Sequence, residues 1–212
     1  MAENNLIEVG RCVQAKGHVA GGWSGAITGL AVNAIVYAIR NIGPAEVMVD
    51  AVDLAFATTA AGTTATGIAF ALHKVPITAL ANAGARATPP LPVRKRTRDN
   101  IVLQPTNPPG DPGAGFDTLL QVQIANTGAL TGATITGGIA TFQDDPQGAF
   151  SPAGASVAAG TGLVFFGQYR WEPRNGIPLT LAPDEGIVVL SRLAFPTTLA
   201  GQLFVAPDLR IS

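Results

Sequence analysis

The side chains able to do acid–base, nucleophilic or metal chemistry are sparse in this sequence. They amount to His18, His73, Cys12 and scattered carboxylates. A structural or catalytic zinc site needs clustered His, Cys or carboxylate ligands, and neither histidine nor Cys12 has a ligand-type partner at i+2 to i+4. Both histidines therefore read as solvent-facing or hydrogen-bonded. Asp144 and Asp145 in "FQDDPQG" read as a turn, in which Asp accepts local backbone hydrogen bonds. A calcium loop would need more oxygen ligands at alternate positions. Nucleophilic catalysis needs a Ser or Cys beside a histidine and an orienting carboxylate, and no serine sits in a G-x-S-x-G elbow. Asp184-Glu185 would tempt a glycosidase reading, but adjacent strand residues point in opposite directions and turn carboxylates are commonly just solvated. "GGWSG" and "AGTTATG" lack the Lys-Ser/Thr of a phosphate loop. The expectation is no catalytic, cofactor-binding or metal-binding residue, and no enzyme.

Two binding constellations remain. "PVRKRTRDN" holds Arg94, Lys95, Arg96 and Arg98, four of the thirteen basic residues. On a strand, Arg94, Arg96 and Arg98 fall on one face, roughly 7 Å apart. They could guard a sheet edge against unwanted pairing, meet carboxylates such as Asp50 and Asp53, contact a neighbouring subunit, or touch nucleic acid. Nucleic acid is the least favoured, because phosphate binding spreads excess positive charge over a face. The whole chain carries 13 basic against 14 acidic residues. The second constellation is aromatic. "QYRWEPRNG" sets Tyr169 and Trp171 on one strand face with Arg170 on the other, and Trp23 lies far upstream. These rings could stack a glycan or sit in an interface. The plainer expectation is that Tyr169 and Trp171 close the core or a subunit contact, since aromatics make up only 6% of the chain.

The elements that must position these residues are strands. "AVNAIVYAIRNI" is dense in Val and Ile and is followed by "NIGPAE", which favours a strand buried on both faces over a helix. In "EVMVDAVDLAFAT" the apolar parity switches, which places a bulge or break near Asp50. "IAFALHKVPI" is the next strand, with Pro76 limiting its end or setting it at an edge. "QPTNPPGDPGAG" (104–115) is the strongest loop signal and a possible lobe boundary. "SPAGASVAAGTG" (151–162) is a small-residue excursion. "GLVFFGQYRW", "IPLTLAPDEGIVVLSRLAF" and "GQLFVAPDLRIS" complete the strands, with turns at "EPRNG" and "APDEG", where Pro183 and Gly186 suit turn positions. The expected fold is all-β: an antiparallel, jelly-roll-like sandwich with long Pro/Gly-rich loops. Residues 1–25 form an N-terminal arm and 26–212 a single domain.

Composition points to association. Charged residues are 13% of the chain, against about 25% in an average soluble domain, so a monomer would expose much apolar surface. One cysteine excludes a disulfide-stapled scaffold. "MAENNLIEVGR" does not read as a secretory signal. The longest apolar run is interrupted by Asn33 and is short of a membrane span. A soluble protein made in the cytoplasm is expected.

Taken in order, "AIVYAIRNIGPAEVMVDAVDLAF", "GIAFALHKVPIT", "VRKRTRDN", "LLQVQIANTGALTGATIT", "IPLTLAPDEGIVVLSRLAFPTT" and "GQLFVAPDLRIS" resemble a loose family of tailed-bacteriophage virion structural proteins. The shared pattern is a strand ending near an Arg, an x-F-x-L-x-(R/K) strand, a basic "KR-T/S" segment, a late "PL-x-L-A-x-x-E-G" hairpin and a final amphipathic strand. The resemblance implies a β-sandwich virion component: a capsid decoration (cement) protein, or a tail or baseplate subunit. It implies a homo-oligomer, with a trimer favoured, and the major capsid protein or other virion proteins as partners. It brings no catalytic residues. A host-glycan-binding module is the alternative from another class. Neither membrane nor nucleic acid is an expected partner, and the expected location is the virion.

Overall fold

A computed structural model describes residues 22–60, 66–80, 120–125, 127–130, 134–135, 147–150, 156–157 and 164–211. The chain is an all-β sandwich of two antiparallel sheets. The first sheet runs in the order β1 (Gly22–Trp23), β13 (Ala200–Ile211), β3 (Val47–Ala60) and β10 (Val164–Trp171), and β11 (Leu179–Leu181) also pairs with β3. The second runs β6 (Leu120–Ile124), β2 (Ile35–Asn41), β12 (Glu185–Ser191), β5 (Phe70–Ala79) and β7 (Thr134–Ile135), with β8 (Gly148–Phe150) also on β5. A small pair, β4 (Thr66–Gly67) with β9 (Ser156–Val157), gives ordered pairing to two residues of the 151–162 tract.

The sheets meet through β-branched and aromatic side chains at alternate positions. Val52, Leu54, Phe56, Leu203 and Val205 of the first sheet share one buried cluster with Tyr37, Ile39, Leu72, Val122, Ile187 and Val189 of the second. Phe56 is its hub. Its ring lies 5.6 Å from Phe70 and 5.7 Å, edge-on, from Phe195, in the tilted and T-shaped geometries that ring quadrupoles favour. Gly201 of β13 lies directly over Phe56, where any Cβ would collide with the ring.

The parity switch expected near Asp50 is a β-bulge. On β3, Val47 and Val49 face the core, and so do Val52, Leu54 and Phe56. The change of parity is absorbed where Asp208 opposes Ala51 but Leu209 opposes Val49, leaving Asp50 without an opposite residue on β13. The expectation for β2 also holds. Val36, Tyr37, Ala38 and Ile39 are all fully buried, because the second sheet is apolar on both faces. On its far face Ala38, Val75, Ile77, Val188 and Leu190 form a separate cluster with Leu80 and Ile135.

Among the described residues two prolines lie inside strands, and backbone direction explains why both are tolerated. On β5, Ile77 N–H bonds Asp184 and Ala69 C=O accepts from Arg192, so odd-numbered residues face β12. Leu72 C=O accepts from Gln147 on the opposite edge. Pro76 therefore aims its missing donor away from β12, into the interval between β8 (which pairs with Phe70–Leu72) and β7 (which pairs with Ile77 and Ala79). The strand runs through Pro76 rather than stopping there. Pro207 on β13 obeys the same rule.

Two expected boundaries shift. Gly22–Gly25, assigned from sequence to the arm, are part of the sandwich. Trp23 pairs with Phe204, Ser24 N–H bonds Leu203 C=O, and Gly25 N–H bonds Ala125 C=O near β6. Gly186, expected in a turn, is the second residue of β12, and a Cβ there would collide with Ile39 C=O and the Ile77 side chain. The turn itself is carried by Asp184, at φ 64°. The "EPRNG" turn contains a short 3-10 turn at Arg174–Gly176, with Asn175 and Gly176 at φ 64° and 68°, the left-handed pair that Asn-Gly supplies at least strain. "NIGPAE" is knitted by Asn41, which is buried. Its amide donates to Ala45 and Leu181 carbonyls while its oxygen accepts from Gly43 N–H.

Candidate assembly face

Since Phe56 and Leu54 point into the sandwich, the intervening residues of β3 define the outer face of the first sheet. The register aligns them with their neighbours: Asp53 with Ala206 and Arg170, Ala55 with Phe204 and Gln168, and Ala51 with Asp208. Ala51, Ala55 and Ala206 are buried. Because alanine side chains barely rise from the sheet, longer flanking residues cover them.

Arg170 organises one end of this face. Its Nη1 donates to both oxygens of Asp53 at 3.0 Å, its Nη2 to Asp208 at 2.8 Å and its Nε to Glu172 at 2.9 Å. One guanidinium fork is thus shared by three carboxylates drawn from β3, β13 and the end of β10. The hydrogen bonds to Asp208 and Glu172, then the contact with Asp53, outweigh desolvation and drive the Arg170 pKa further above its ordinary value. Beyond the bulge, Arg210 makes a two-point bond to Asp50, with both N···O distances 2.6 Å. The bulge matters here, because it turns the Asp50 side chain outward to meet Arg210. The described groups comprise two arginines and four carboxylates, all ion-paired. At the other end, Trp23 and Phe204 form a half-buried pair with centroids 5.4 Å apart.

The aromatics expected from sequence separate. Trp171 is only 5% exposed. Its indole N–H donates to Gln147 C=O at 2.6 Å, and a Cβ on Gly148 would collide with the ring. Trp171 thereby pins the edge of the first sheet to β8 of the second, and no sugar ring can stack on it. The reading of Trp171 as a glycan-stacking aromatic is corrected by that burial, and its core-closing role holds. Tyr169 is 36% exposed and opposes Leu54 at the β10 edge. Trp23 lies on the outer face with Phe204.

Arg94, Arg96 and Arg98 lie outside the described residues, as do His18, Cys12, Asp144 and Asp145. Asp50 and Asp53, their suggested partners within the chain, are engaged by Arg210 and Arg170. His73 is buried opposite Val188, so the solvent-facing alternative does not hold for it. The Asp184-Glu185 pair splits. Asp184 takes Arg40, while Glu185 takes Lys74 at 2.6 Å and Ala182 N–H at 2.8 Å. Burial alone would raise the Glu185 carboxyl, but the bonds from Lys74 and Ala182 outweigh it and hold the group below its ordinary range. A glycosidase acid needs the opposite shift. Among the described residues, no group of three or more His, Cys, Asp or Glu side chains is placed to hold a metal ion, and no helix is long and apolar enough to cross a membrane.

Sequence reasoning placed Arg170 on the face opposite Trp171 but did not find its carboxylates. Glu172 is only two residues beyond Arg170, but Asp53 lies 117 residues before it and Asp208 38 after it, and strand register unites those two with it. In comparisons with known proteins, no protein-family model and no curated protein matches this chain.

Proposed function

We propose that this chain is a non-enzymatic structural subunit of a tailed-bacteriophage virion: a capsid decoration protein that oligomerises, as a trimer by preference, on the major capsid protein of the head. The observation that supports this reading best is the outer face of the first sheet. Its described charged groups are ion-paired within the chain, two arginines among four carboxylates, its floor is alanine, and one end carries the Trp23–Phe204 pair. A face whose side chains are already held on strands loses little further conformational freedom when another protein covers it. Aromatic residues and arginine are also the types enriched at protein interfaces. The low charge content of the whole chain agrees with a subunit that buries surface on assembly. A subunit that binds the closed shell better than free capsomers stabilises the shell by mass action.

The test combines solution size with particle binding. Sedimentation equilibrium should give a homo-oligomer. Purified protein should add to undecorated heads in electron micrographs, and a Trp23→Ala, Phe204→Ala double variant should bind them at least tenfold more weakly while keeping its melting temperature. A monodisperse monomer that ignores heads and binds a polysaccharide would overturn the proposal. Density at the tail rather than the head would relocate the subunit to the tail or baseplate.

A further inference from the structure

The connection between β10 and β11 carries the only Asn-Gly pair in the sequence, Asn175-Gly176. An asparagine followed by glycine is open to attack on its side-chain amide by the next main-chain nitrogen, because glycine has no Cβ to shield that nitrogen. The fold leaves this pair accessible. Arg174, Asn175, Gly176 and Ile177 are all exposed, and a Cβ at Gly176 would meet nothing within 4 Å. Among the described residues no hydrogen bond holds the Asn175 side chain, and the turn is closed by one long bond, from Gly176 N–H to Pro173 C=O at 3.3 Å. The other described asparagines lack both features. Asn33 precedes Ala34 and accepts from Arg192 at 3.2 Å. Asn41 precedes Ile42, is buried, and is bonded to Gly43, Ala45 and Leu181.

We infer that Asn175 is a site of spontaneous deamidation in the folded protein. The Gly176 nitrogen gives up its proton and attacks Cγ of Asn175. A C–N bond forms there, the bond from Cγ to Nδ2 breaks, and the amide nitrogen leaves as ammonia carrying that proton. The product is a five-membered succinimide, which water opens at one of its two carbonyls. Opening at Cγ gives aspartate. Opening at the main-chain carbonyl gives isoaspartate, whose backbone runs through the side chain and is one carbon longer. No oxidant, cofactor or enzyme is needed. One movement must come first. At ψ 16° the Gly176 nitrogen nearly eclipses the Asn175 nitrogen and is turned away from Cβ, so the ring closes only after ψ rotates. Rotation costs the 3.3 Å bond to Pro173, and an exposed turn held this lightly opens at little free-energy cost. The sandwich tolerates the outcome, because β10 and β11 are each held to β3 by their own ladder, with Trp171 opposite Val52 and Leu179 opposite Val49. The extra carbon enters the connection between them, along with one negative charge.

The inference is independent of the assembly proposal, since it needs neither a partner nor an oligomer. The test follows the folded full chain through a time course at mildly alkaline pH, with peptide mapping by mass spectrometry and chromatographic separation of aspartate from isoaspartate. Conversion at Asn175 should run within roughly tenfold of its rate in the same chain unfolded in urea and should yield both products. It should accelerate as pH rises, because the attacking nitrogen must lose its proton. Asn175→Gln, whose longer side chain would have to close a six-membered ring, should stay unconverted over the same period. The converted protein, separated by anion exchange, should melt within about 4 °C of the unmodified protein. A folded chain that keeps its amide while the unfolded chain loses it overturns the inference. So does acid without isoaspartate, or equal conversion of Asn175→Gln, since either would mean direct hydrolysis and no ring. A larger drop in melting temperature overturns the tolerance of the sandwich for the longer connection.

Discussion

The contact between Phe56 and Gly201 permits a sharp test of how the two sheets are joined. Phe56 is fully buried, packs on Phe70 and Phe195, and lies under a residue with no side chain. Truncation in Phe56→Ala removes the central ring from that cluster and should cost about 3–5 kcal/mol. For a domain of this size, about 2–4 °C per kcal/mol translates this into a melting temperature lower by roughly 6–20 °C. Gly201→Ala acts from the other side. Its Cβ would collide with the Phe56 ring and come within 3.0 Å of Ala57 C=O, an overpacking that should cost about 1–3 kcal/mol. The two changes share one volume, so they cannot be additive. With the ring gone, the Gly201→Ala cost should fall below about 1 kcal/mol, the remainder coming from Ala57 C=O. Urea unfolding of the wild type, both single variants and the double variant measures the coupling directly. If the double variant is destabilised by the sum of the singles to within about 0.5 kcal/mol, Gly201 is not a glycine on account of Phe56, and the packing argument fails.

Further predictions concern the polar groups. Arg170→Ala leaves Asp53, Asp208 and Glu172 facing one another without their shared cation. Because Arg170 is 45% exposed, solvent screening limits the loss to about 1 kcal/mol, and added salt should reduce the difference from wild type in chemical denaturation. Glu185 has its carboxyl lowered below 4.5 in the fold. Its stabilisation is therefore fully present above that value and is lost as pH falls through the lower, folded value. Glu185→Gln should flatten the acid limb of a stability–pH curve and leave no such limb attributable to this group. Trp171→Phe keeps most of the ring but removes the bond to Gln147 C=O, and should cost about 1–3 kcal/mol by leaving a part-buried acceptor unmet. Tyr169→Ala, at an exposed edge position, should change the melting temperature little, and a large drop would mean Tyr169 packs into the core.

How much of this was legible beforehand depends on the range of the interaction responsible. The strand character of "AIVYAIRNI", its burial on both faces, the bulge near Asp50 and the Asn-Gly turn all follow from residue type and spacing, because each is fixed within a few bonds of the chain. Gly186 was misplaced since "APDEG" looks like turn chemistry throughout. Only the neighbouring strand, with Ile39 C=O pressed against it, shows that this glycine answers to a close approach. Pro76 read equally as a strand end or an edge position, because composition does not say which way a missing N–H points.

The sequence by itself determined that the chain is made of strands, that it is poor in charge and that it lacks a recognisable catalytic pattern, since composition and period-two alternation act locally. Tertiary structure alone decided which face each charge occupies. Asp53 and Asp208 meet at the Arg170 guanidinium because three strands distant in sequence share a register. The same packing decided between two aromatics that looked alike. Trp171 was drawn under β8 and committed to the core, while Trp23 was left on the outer face with Phe204. Register and layer packing are properties of pairs of strands, and no single strand encodes them.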